Sequence, residues 1–139
     1  MTTPLPAPAP VITPDTAAFW AATKTGVLLL QRCAACRRTI WYPKAFCNSC
    51  GSLEVTAFEA SGQGEIYSFT EVRRGETAYR ETPSFVLALV ELDEGVRMLT
   101  NIVATAPGDL RVGQRVRVVF DDAGETAALP RFQPIDSAS

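Results

Sequence analysis

Four cysteines carry the clearest chemical signal in this sequence. They form two Cys-x2-Cys pairs, Cys33/Cys36 and Cys47/Cys50, with ten residues between the pairs. Two residues between cysteines allow a tight turn that directs both sulfurs at one point, and two such turns supply four thiolates at tetrahedral angles. The spacing therefore predicts one closed metal site of the zinc-ribbon type, in which the segment between the pairs forms a strand.

Other uses of four thiols are less favoured by the sequence. Four thiolates also suit a rubredoxin-like iron centre or an iron–sulfur cluster, and this alternative stays open. Redox-active CxxC pairs occur where a helix begins inside a βαβ unit, a pattern that is missing here. A zinc ion held by four thiolates has no open position for water. One structural Zn²⁺ is therefore the predicted cofactor.

The remainder of the sequence shows no catalytic constellation. The chain has no histidine, which excludes the Ser-His and Cys-His arrangements of nucleophilic catalysis. It also has no glycine-rich phosphate-binding motif. Glu91, Asp93 and Glu94 flank a tight turn, where acidic side chains are usually solvated. We therefore expect no catalytic residue and a protein that is not itself an enzyme.

Composition limits the kinds of partner. The chain has 13 basic and 15 acidic residues and a net charge of −2, which weighs against nucleic acid as the main partner. No apolar run reaches the roughly 18 residues of a membrane span, so no membrane partner is expected. The proline- and alanine-rich start does not look like a signal peptide. We expect a cytoplasmic protein, a compartment in which paired cysteines bind metal more often than they form disulfides.

The sequence divides into five predicted parts. Residues 1–12 are expected to be a disordered Pro/Ala tail, and residues 13–26 a helix that starts at Thr13 and Pro14. Residues 27–58 should form the zinc ribbon and 59–135 a barrel, with a short tail at 136–139. Because Gly, Pro and Asp separate segments rich in β-branched and aromatic residues, the barrel region is predicted to be all-β.

Five predicted strands make up this second region. Few helical segments separate them, so a small closed β-barrel is favoured over an α/β fold. The fold class is thus mainly β, with an N-terminal helix. The predicted strands span 64–74, 83–92, 96–104, 115–121 and 127–133.

Two aromatic clusters are candidates for a partner interface. Phe19 and Trp20 lie side by side on a short helix, where they either pack on the protein's own core or anchor a partner. Trp41, Tyr42 and Phe46 lie between the cysteine pairs. Because a ribbon is too small to bury three large rings, part of this second cluster is expected to form a docking surface.

A basic cluster is the candidate ligand-binding site. Arg73 and Arg74 end the first barrel strand, and Tyr79 and Arg80 follow in the longest predicted loop. Guanidinium groups beside an aromatic ring are suited to a phosphorylated or adenine-bearing ligand. The alternative is a charged loop in solvent.

The order of motifs resembles the zinc-ribbon/OB-fold, acyl-CoA-associated family once called domain of unknown function 35 (DUF35). The resemblance covers residues 15–134 and includes G-x-L-x-L-Q-R-C-x-x-C and C-x-x-C-G-S. Its most specific pieces are SGQGEIYSFTEV and VELDEGVRMLTN. It implies an N-terminal helix, a rubredoxin-like ribbon whose metal ligands are Cys33, Cys36, Cys47 and Cys50, and a C-terminal five-stranded OB-fold barrel.

The resemblance also implies a function. Members of this family bind thiolase-superfamily enzymes, including lipid-transfer-protein-type thiolases and aldolases that act on acyl-CoA thioesters, among them those of steroid side-chain degradation. The chain is then an accessory subunit of a hetero-oligomer, with acyl-CoA near the interface. Two positions depart from the family pattern: Arg37 stands where glycine is frequent, and Arg73 where a histidine is common.

A nucleic-acid-binding module is the second hypothesis. Both OB barrels and zinc ribbons bind single strands, using a basic groove and stacked aromatic side chains. The predicted barrel contains Tyr67, Phe69, Tyr79 and Phe85, but its charge is balanced. The accessory subunit is therefore the favoured hypothesis.

Overall fold

The computed structural model describes residues 5–135. It is mainly β, with one helix, a three-stranded ribbon sheet and a closed five-stranded barrel, which confirms the predicted fold class. The predicted tails at residues 1–4 and 136–139 lie outside the described residues. Within the described part of the chain, no helix is long and apolar enough to cross a membrane.

The helix α1 spans Ala17–Thr23 and begins later than the sequence predicts. Thr13 does not cap it, because residues 13–16 form a separate turn in which the Thr13 N–H donates to Oγ1 of Thr16 at 3.0 Å. The helix is followed by Gly26 at φ +79°. There the N–H of Val27 donates to the carbonyl of Ala22 at 3.1 Å, the pattern of a Schellman motif.

The ribbon sheet holds three strands, β1 Leu29–Cys33, β2 Thr39–Ile40 and β3 Val55–Glu59. Their order is β2-β1-β3, and both pairings are antiparallel. The central strand β1 ends at Cys33, so its register fixes where the first cysteine pair begins. The sheet thus positions the metal site directly.

The barrel consists of strands β4 to β8 in the closed order β4-β5-β6-β8-β7. The register between β4 and β5 shifts at Ile66/Ser68, a bulge of the kind that lets a strand bend around a barrel. At Gly64, any Cβ would collide with the carbonyl of Glu91 on β5, so the close approach requires glycine. The strands span Gln63–Val72, Phe85–Leu92, Arg97–Ile102, Arg115–Asp122 and Ala128–Pro134.

The barrel closes through its shortest strand pairing. Strands β6 and β8 run parallel and share one register pair, Ile102↔Phe132. Helix α1 packs beside β8, where Oγ1 of Thr23 accepts a hydrogen bond from the Ala128 N–H at 2.9 Å. Lys24 donates to Asp122 at 2.9 Å. The helix, the ribbon and the barrel therefore share one apolar core, which contains Phe19, Trp20, Leu28, Leu30, Ile66, Val90, Met98, Val116 and Phe132.

Candidate metal centre and partner surface

The four cysteine sulfurs converge on one point. All four Sγ atoms lie within 4.8 Å of one another. The Sγ atoms of Cys33 and Cys50 are 3.6 Å apart, and those of Cys36 and Cys47 are 3.7 Å apart. A zinc ion with four sulfurs at about 2.3 Å requires edges of about 3.8 Å. The donor set therefore fits a single tetrahedral zinc, and the four thiols are free rather than joined in disulfides.

Two matching turns hold the sulfurs in place. In the first, the Cys36 N–H donates to the sulfur of Cys33 at 3.4 Å, and the Arg37 N–H donates to the Cys33 carbonyl at 2.8 Å. In the second, the Ser49 N–H donates to the sulfur of Cys47 at 3.4 Å, and the Gly51 N–H donates to the Cys47 carbonyl at 2.8 Å. Each turn thus neutralises part of the charge on a thiolate with its own backbone.

These contacts give the cysteines different pKa values. The backbone N–H of Cys36 lowers the pKa of Cys33 from 9.0 to about 6, against the opposing effect of burial. The backbone N–H of Cys50 likewise lowers the pKa of Cys47. The N–H of Ser52 lowers the pKa of Cys50, but the sulfur of Cys33 and desolvation outweigh it and raise that pKa to about 11. Before metal binds, the site therefore holds thiolates and thiols together.

The site is structural in its chemistry. A zinc ion here would cross-link the two turns and replace much of the hydrophobic core that the small ribbon lacks, since among the described residues only Ile40 and Val55 pack with the buried Cys33 and Cys47. With all four positions taken by sulfur, the ion is not available to water or substrate. This agrees with the predicted single structural zinc.

Of the two roles expected for Phe19 and Trp20, the structure supports packing on the protein's own core, since their side chains are 3% and 8% exposed. Trp20 also lines the cleft described below. The ring of Phe19 packs 5.1 Å from that of Trp41, centroid to centroid. The paired aromatics therefore fasten the helix to the ribbon.

The second aromatic cluster is only partly buried. Trp41 is half-buried, whereas Tyr42 and Phe46 are 40% and 49% exposed. The side chain of Gln31 holds this segment through Lys44, accepting from its N–H at 2.8 Å and donating to its carbonyl at 3.1 Å. Two of the five predicted interface residues, Tyr42 and Phe46, thus lie on the surface.

A cleft of about 230 Å³ lies beside this cluster, between the ribbon and the barrel. Trp41 and Tyr42 line one side, and Leu99, Leu129 and Pro130 from β6 and β8 line the other. Leu99 is 63% exposed. The cleft is mostly apolar, also contains Thr100, Asn101 and Arg131, and crosses both parts of the protein.

The basic cluster is not assembled as the sequence predicts. Arg73 pairs with Glu71 at 3.2 Å and is largely solvated, and Arg74 and Arg80 are also exposed. Tyr79 is directed elsewhere: its hydroxyl accepts a hydrogen bond from Arg131 at 3.1 Å. The tyrosine is therefore bonded to a buried arginine of β8 and is not part of a site shared with the three exposed arginines.

Arg131 is the important residue that the sequence analysis missed. It lies on β8 and is 1% exposed. Its guanidinium donates to Asp121 at 2.7 Å, to Asn101 at 3.3 Å, to Tyr79, and to the carbonyl of Pro6. One buried charge thus ties together two neighbouring strands, the longest loop and the N-terminal segment.

A larger groove of about 700 Å³ lies beside the start of β5 and the ends of β6 and β7. One of its lining residues is Asp121, which pairs with Arg131. Its walls are mostly apolar, with Asp121 and Asp122 among the lining residues. Apolar lining residues include Leu5, Phe85, Val86, Ile102, Val103 and Phe120.

Comparison with known proteins places this architecture in a family. Residues 20–56 match the model described as the ChsH2 rubredoxin-like zinc ribbon domain, and residues 58–121 match the model described as the ChsH2 C-terminal OB-fold domain. A DUF35 domain-containing scaffold protein of Pyrococcus furiosus is 31% identical over 68% of this chain and 74% of its own length. The chain belongs to the DUF35 family.

Two longer relatives contain a region similar to this DUF35 chain. A probable enoyl-CoA hydratase alpha subunit of Thermomonospora curvata is 38% identical over 91% of this chain but 40% of its own length. The 3-oxo-4,17-pregnadiene-20-carboxyl-CoA hydratase alpha subunit of Mycobacterium tuberculosis is 34% identical over 78% of this chain and 34% of its own length. The DUF35 chain therefore spans well under half of each of these relatives.

A solved structure is similar along nearly its whole length. It is a chain of the Ltp2-ChsH2(DUF35) aldolase, which aligns with a TM-score of 0.80 and 38% identity. The alignment covers 90% of this DUF35 chain and 98% of the other.

Proposed function

We propose that this DUF35 protein is a non-catalytic subunit that binds and supports a thiolase-superfamily enzyme acting on acyl-CoA thioesters. One observation carries the proposal: the chain matches almost the whole of a DUF35 chain taken from an aldolase assembled from two components, Ltp2 and ChsH2. The lipid-transfer-protein-type thiolases and aldolases are the partner class that the family resemblance implies.

The names of two relatives support this substrate class. They are named as alpha subunits of hydratases that act on CoA thioesters, one of them on a steroid carboxyl-CoA. A thioester of a steroid side chain is therefore the first substrate to test with the assembled complex. Both names are those of subunits, and the DUF35 region makes up less than half of each relative.

The chain's own chemistry suits a supporting role. Its metal ligands are four sulfurs, which leave zinc closed to substrate. The sequence has no histidine to act as a general base near neutral pH. The catalytic groups are thus expected from the partner enzyme.

The cleft beside Tyr42 is the surface that we assign to the partner. It joins exposed apolar side chains of the ribbon and the barrel, and an enzyme bound there would hold the two parts in a fixed relation. Interfaces of this kind rely on a few large apolar and aromatic anchors surrounded by polar residues. Tyr42, Phe46 and Leu99 are the anchors we expect.

The exposed arginines keep a smaller proposed role. Arg73, Arg74 and Arg80 are exposed, at the end of β4 and in the loop that follows it, and their guanidinium groups are proposed to contact the phosphates of a CoA held by the partner enzyme. Tyr79 is not part of this proposal because its hydroxyl is bonded to the buried Arg131.

Co-expression with a thiolase-like enzyme encoded beside this chain tests the proposal. The two proteins are expected to elute together in size-exclusion chromatography, and the enzyme is expected to be more soluble and more active with its subunit. Leu99→Lys should weaken the complex at least about tenfold, since a charge would be buried at the interface. Val112→Lys is the matched control, because Leu99 and Val112 are 63% and 64% exposed and Val112 lies away from the cleft.

The result decides between an assembly and an isolated protein. If the enzyme is equally soluble, active and unassociated without the DUF35 chain, the proposed function is wrong. If the complex forms but both lysine variants weaken it equally, the subunit role stands and the assigned surface is wrong.

A further inference from the structure

The N-terminal segment of the described chain lies against the barrel. Residues 5–7, which we call the strap, contain no helix or strand. Leu5 and Ala7 line the 700 Å³ groove, and the intervening Pro6 directs its carbonyl to the guanidinium of Arg131. Ala9 passes close to the turn at Gly124. The strap thus forms one wall of the groove, as an extended peptide whose alternate side chains Leu5 and Ala7 line the empty space.

The contact with Arg131 is exchangeable. If the strap leaves, the guanidinium keeps its bonds to Asp121, Asn101 and Tyr79. Only the donor that faces Pro6 loses its partner, and another carbonyl oxygen can take that place. Detaching the strap therefore costs one charge-assisted hydrogen bond and some apolar contact, and it leaves the barrel strands paired.

We propose that this groove is a peptide-binding site whose internal ligand is the strap, and that release of the strap opens it to an extended apolar segment of another protein. The strap itself defines the ligand class. The ligand is a peptide in an extended conformation that proline can adopt, with a backbone carbonyl that accepts from Arg131 and small or aliphatic side chains on either side of it. The carboxylates of Asp121 and Asp122 on the groove disfavour an acidic segment. The groove shares no lining residue with the cleft at Tyr42, although Arg131, which binds the strap, also lines that cleft.

A peptide supplied in trans tests the proposal with the full-length chain. The probe is a synthetic, fluorescein-labelled peptide with the sequence of residues 1–12, and the measurement is fluorescence anisotropy. Leu5→Asp/Ala7→Asp disables the strap in the full chain, whereas Ala9→Asp/Val11→Asp adds the same charge, with the same spacing, at two exposed positions. We expect the peptide to bind the first variant at least about tenfold more tightly than the wild type or the control, because the wild-type strap competes at a high effective concentration.

Two further variants locate the binding. Arg131→Gln, added to the strap-disabled chain, should weaken peptide binding about tenfold or more, since a hydrogen bond to a charged donor is lost. Ala106→Trp narrows the groove at an exposed position and should have a similar effect without disturbing the core. Equal affinity for all variants, or no binding to the strap-disabled chain, would overturn the proposal.

Discussion

Arg37 and Gly51 occupy the same position in the two metal-binding turns. Each follows the second cysteine of its pair, each donates its N–H to the first cysteine's carbonyl, and each has a positive φ, +66° for Arg37 and +80° for Gly51. Glycine adopts this conformation freely, whereas for a residue with a Cβ it costs about 1–2 kcal/mol. The two halves of the metal site therefore differ in strain although the hydrogen bonds of Arg37 and Gly51 match.

Replacing Arg37 with glycine should stabilise the ribbon. We expect Arg37→Gly to raise the free energy of unfolding of the zinc-loaded protein by about 1 kcal/mol, because it removes the strain of the left-handed conformation. Urea unfolding followed by tryptophan fluorescence measures the change, since Trp41 lies beside the ribbon. Arg38→Gly is the control: Arg38 has no positive φ, so glycine there should destabilise. Equal losses in both variants would show that Arg37 is not strained.

Zinc binding should release protons and weaken in acid. At neutral pH the metal-free site has a thiol at Cys50, whose pKa is about 11, and a thiolate at Cys33, whose pKa is about 6. Zinc needs all four as thiolates, so calorimetry in buffers of different ionisation enthalpy should detect proton release.

The weaker zinc binding in acid follows from the lowered pKa of Cys33. Folding lowers the pKa of Cys33 from 9.0 to about 6, so the Cys33 thiolate contributes to the free energy of unfolding. This contribution is fully present above the unfolded pKa of 9.0 and is lost as the pH falls through about 6. Zinc release to a chromogenic chelator should therefore increase as the pH falls, because protons compete with zinc for the thiolates. A zinc affinity that does not change with pH would contradict thiolate ligands.

The buried Arg131 should make Asp121 more important than its neighbour. Asp121→Asn leaves a 1% exposed guanidinium without its charged partner, and we expect a loss of about 1–3 kcal/mol in unfolding free energy. Asp122→Asn breaks only the pair between Lys24 and a mostly exposed carboxylate, so it should cost less than about 1 kcal/mol. Thermal unfolding of both variants tests this ranking, which equal losses would refute.

Thr23 should be needed to dock the helix. Its Oγ1 accepts the buried N–H of Ala128 at 2.9 Å, and Thr23→Val keeps the shape but leaves that donor without a partner. A loss of about 1–3 kcal/mol is expected. Thr25→Val, at an exposed position on the same turn, should change stability by less than about 0.5 kcal/mol. A neutral Thr23→Val would mean that water replaces the threonine.

Local patterns explain what the sequence could predict. Cysteine spacing identified the metal donors, because the two residues between each pair determine the turn. Alternating apolar residues located the barrel strands; in β7, for example, Val116 is buried between the exposed Arg115 and Arg117. Both signals lie within a few residues along the chain.

Long-range packing explains what the sequence could not predict. From the sequence alone, Arg131 would be expected to be an ordinary surface charge. The fold brings Asp121, Tyr79 and Pro6 into contact with it. Phe19 was a plausible anchor for a partner because nothing nearby in the sequence shows that Trp41 packs against it. Contacts between distant segments decide burial, and burial decides these roles.

Turnover of a CoA thioester by reconstituted proteins tests the central claim most directly. Activity is measured for the DUF35 chain alone, for the thiolase-like enzyme alone, and for the two together. We predict no turnover by the chain alone, and a higher rate for the mixture than for the enzyme alone, with the gain lost when Cys33→Ser removes a zinc ligand. Turnover by the zinc-loaded DUF35 chain without any enzyme would contradict the account.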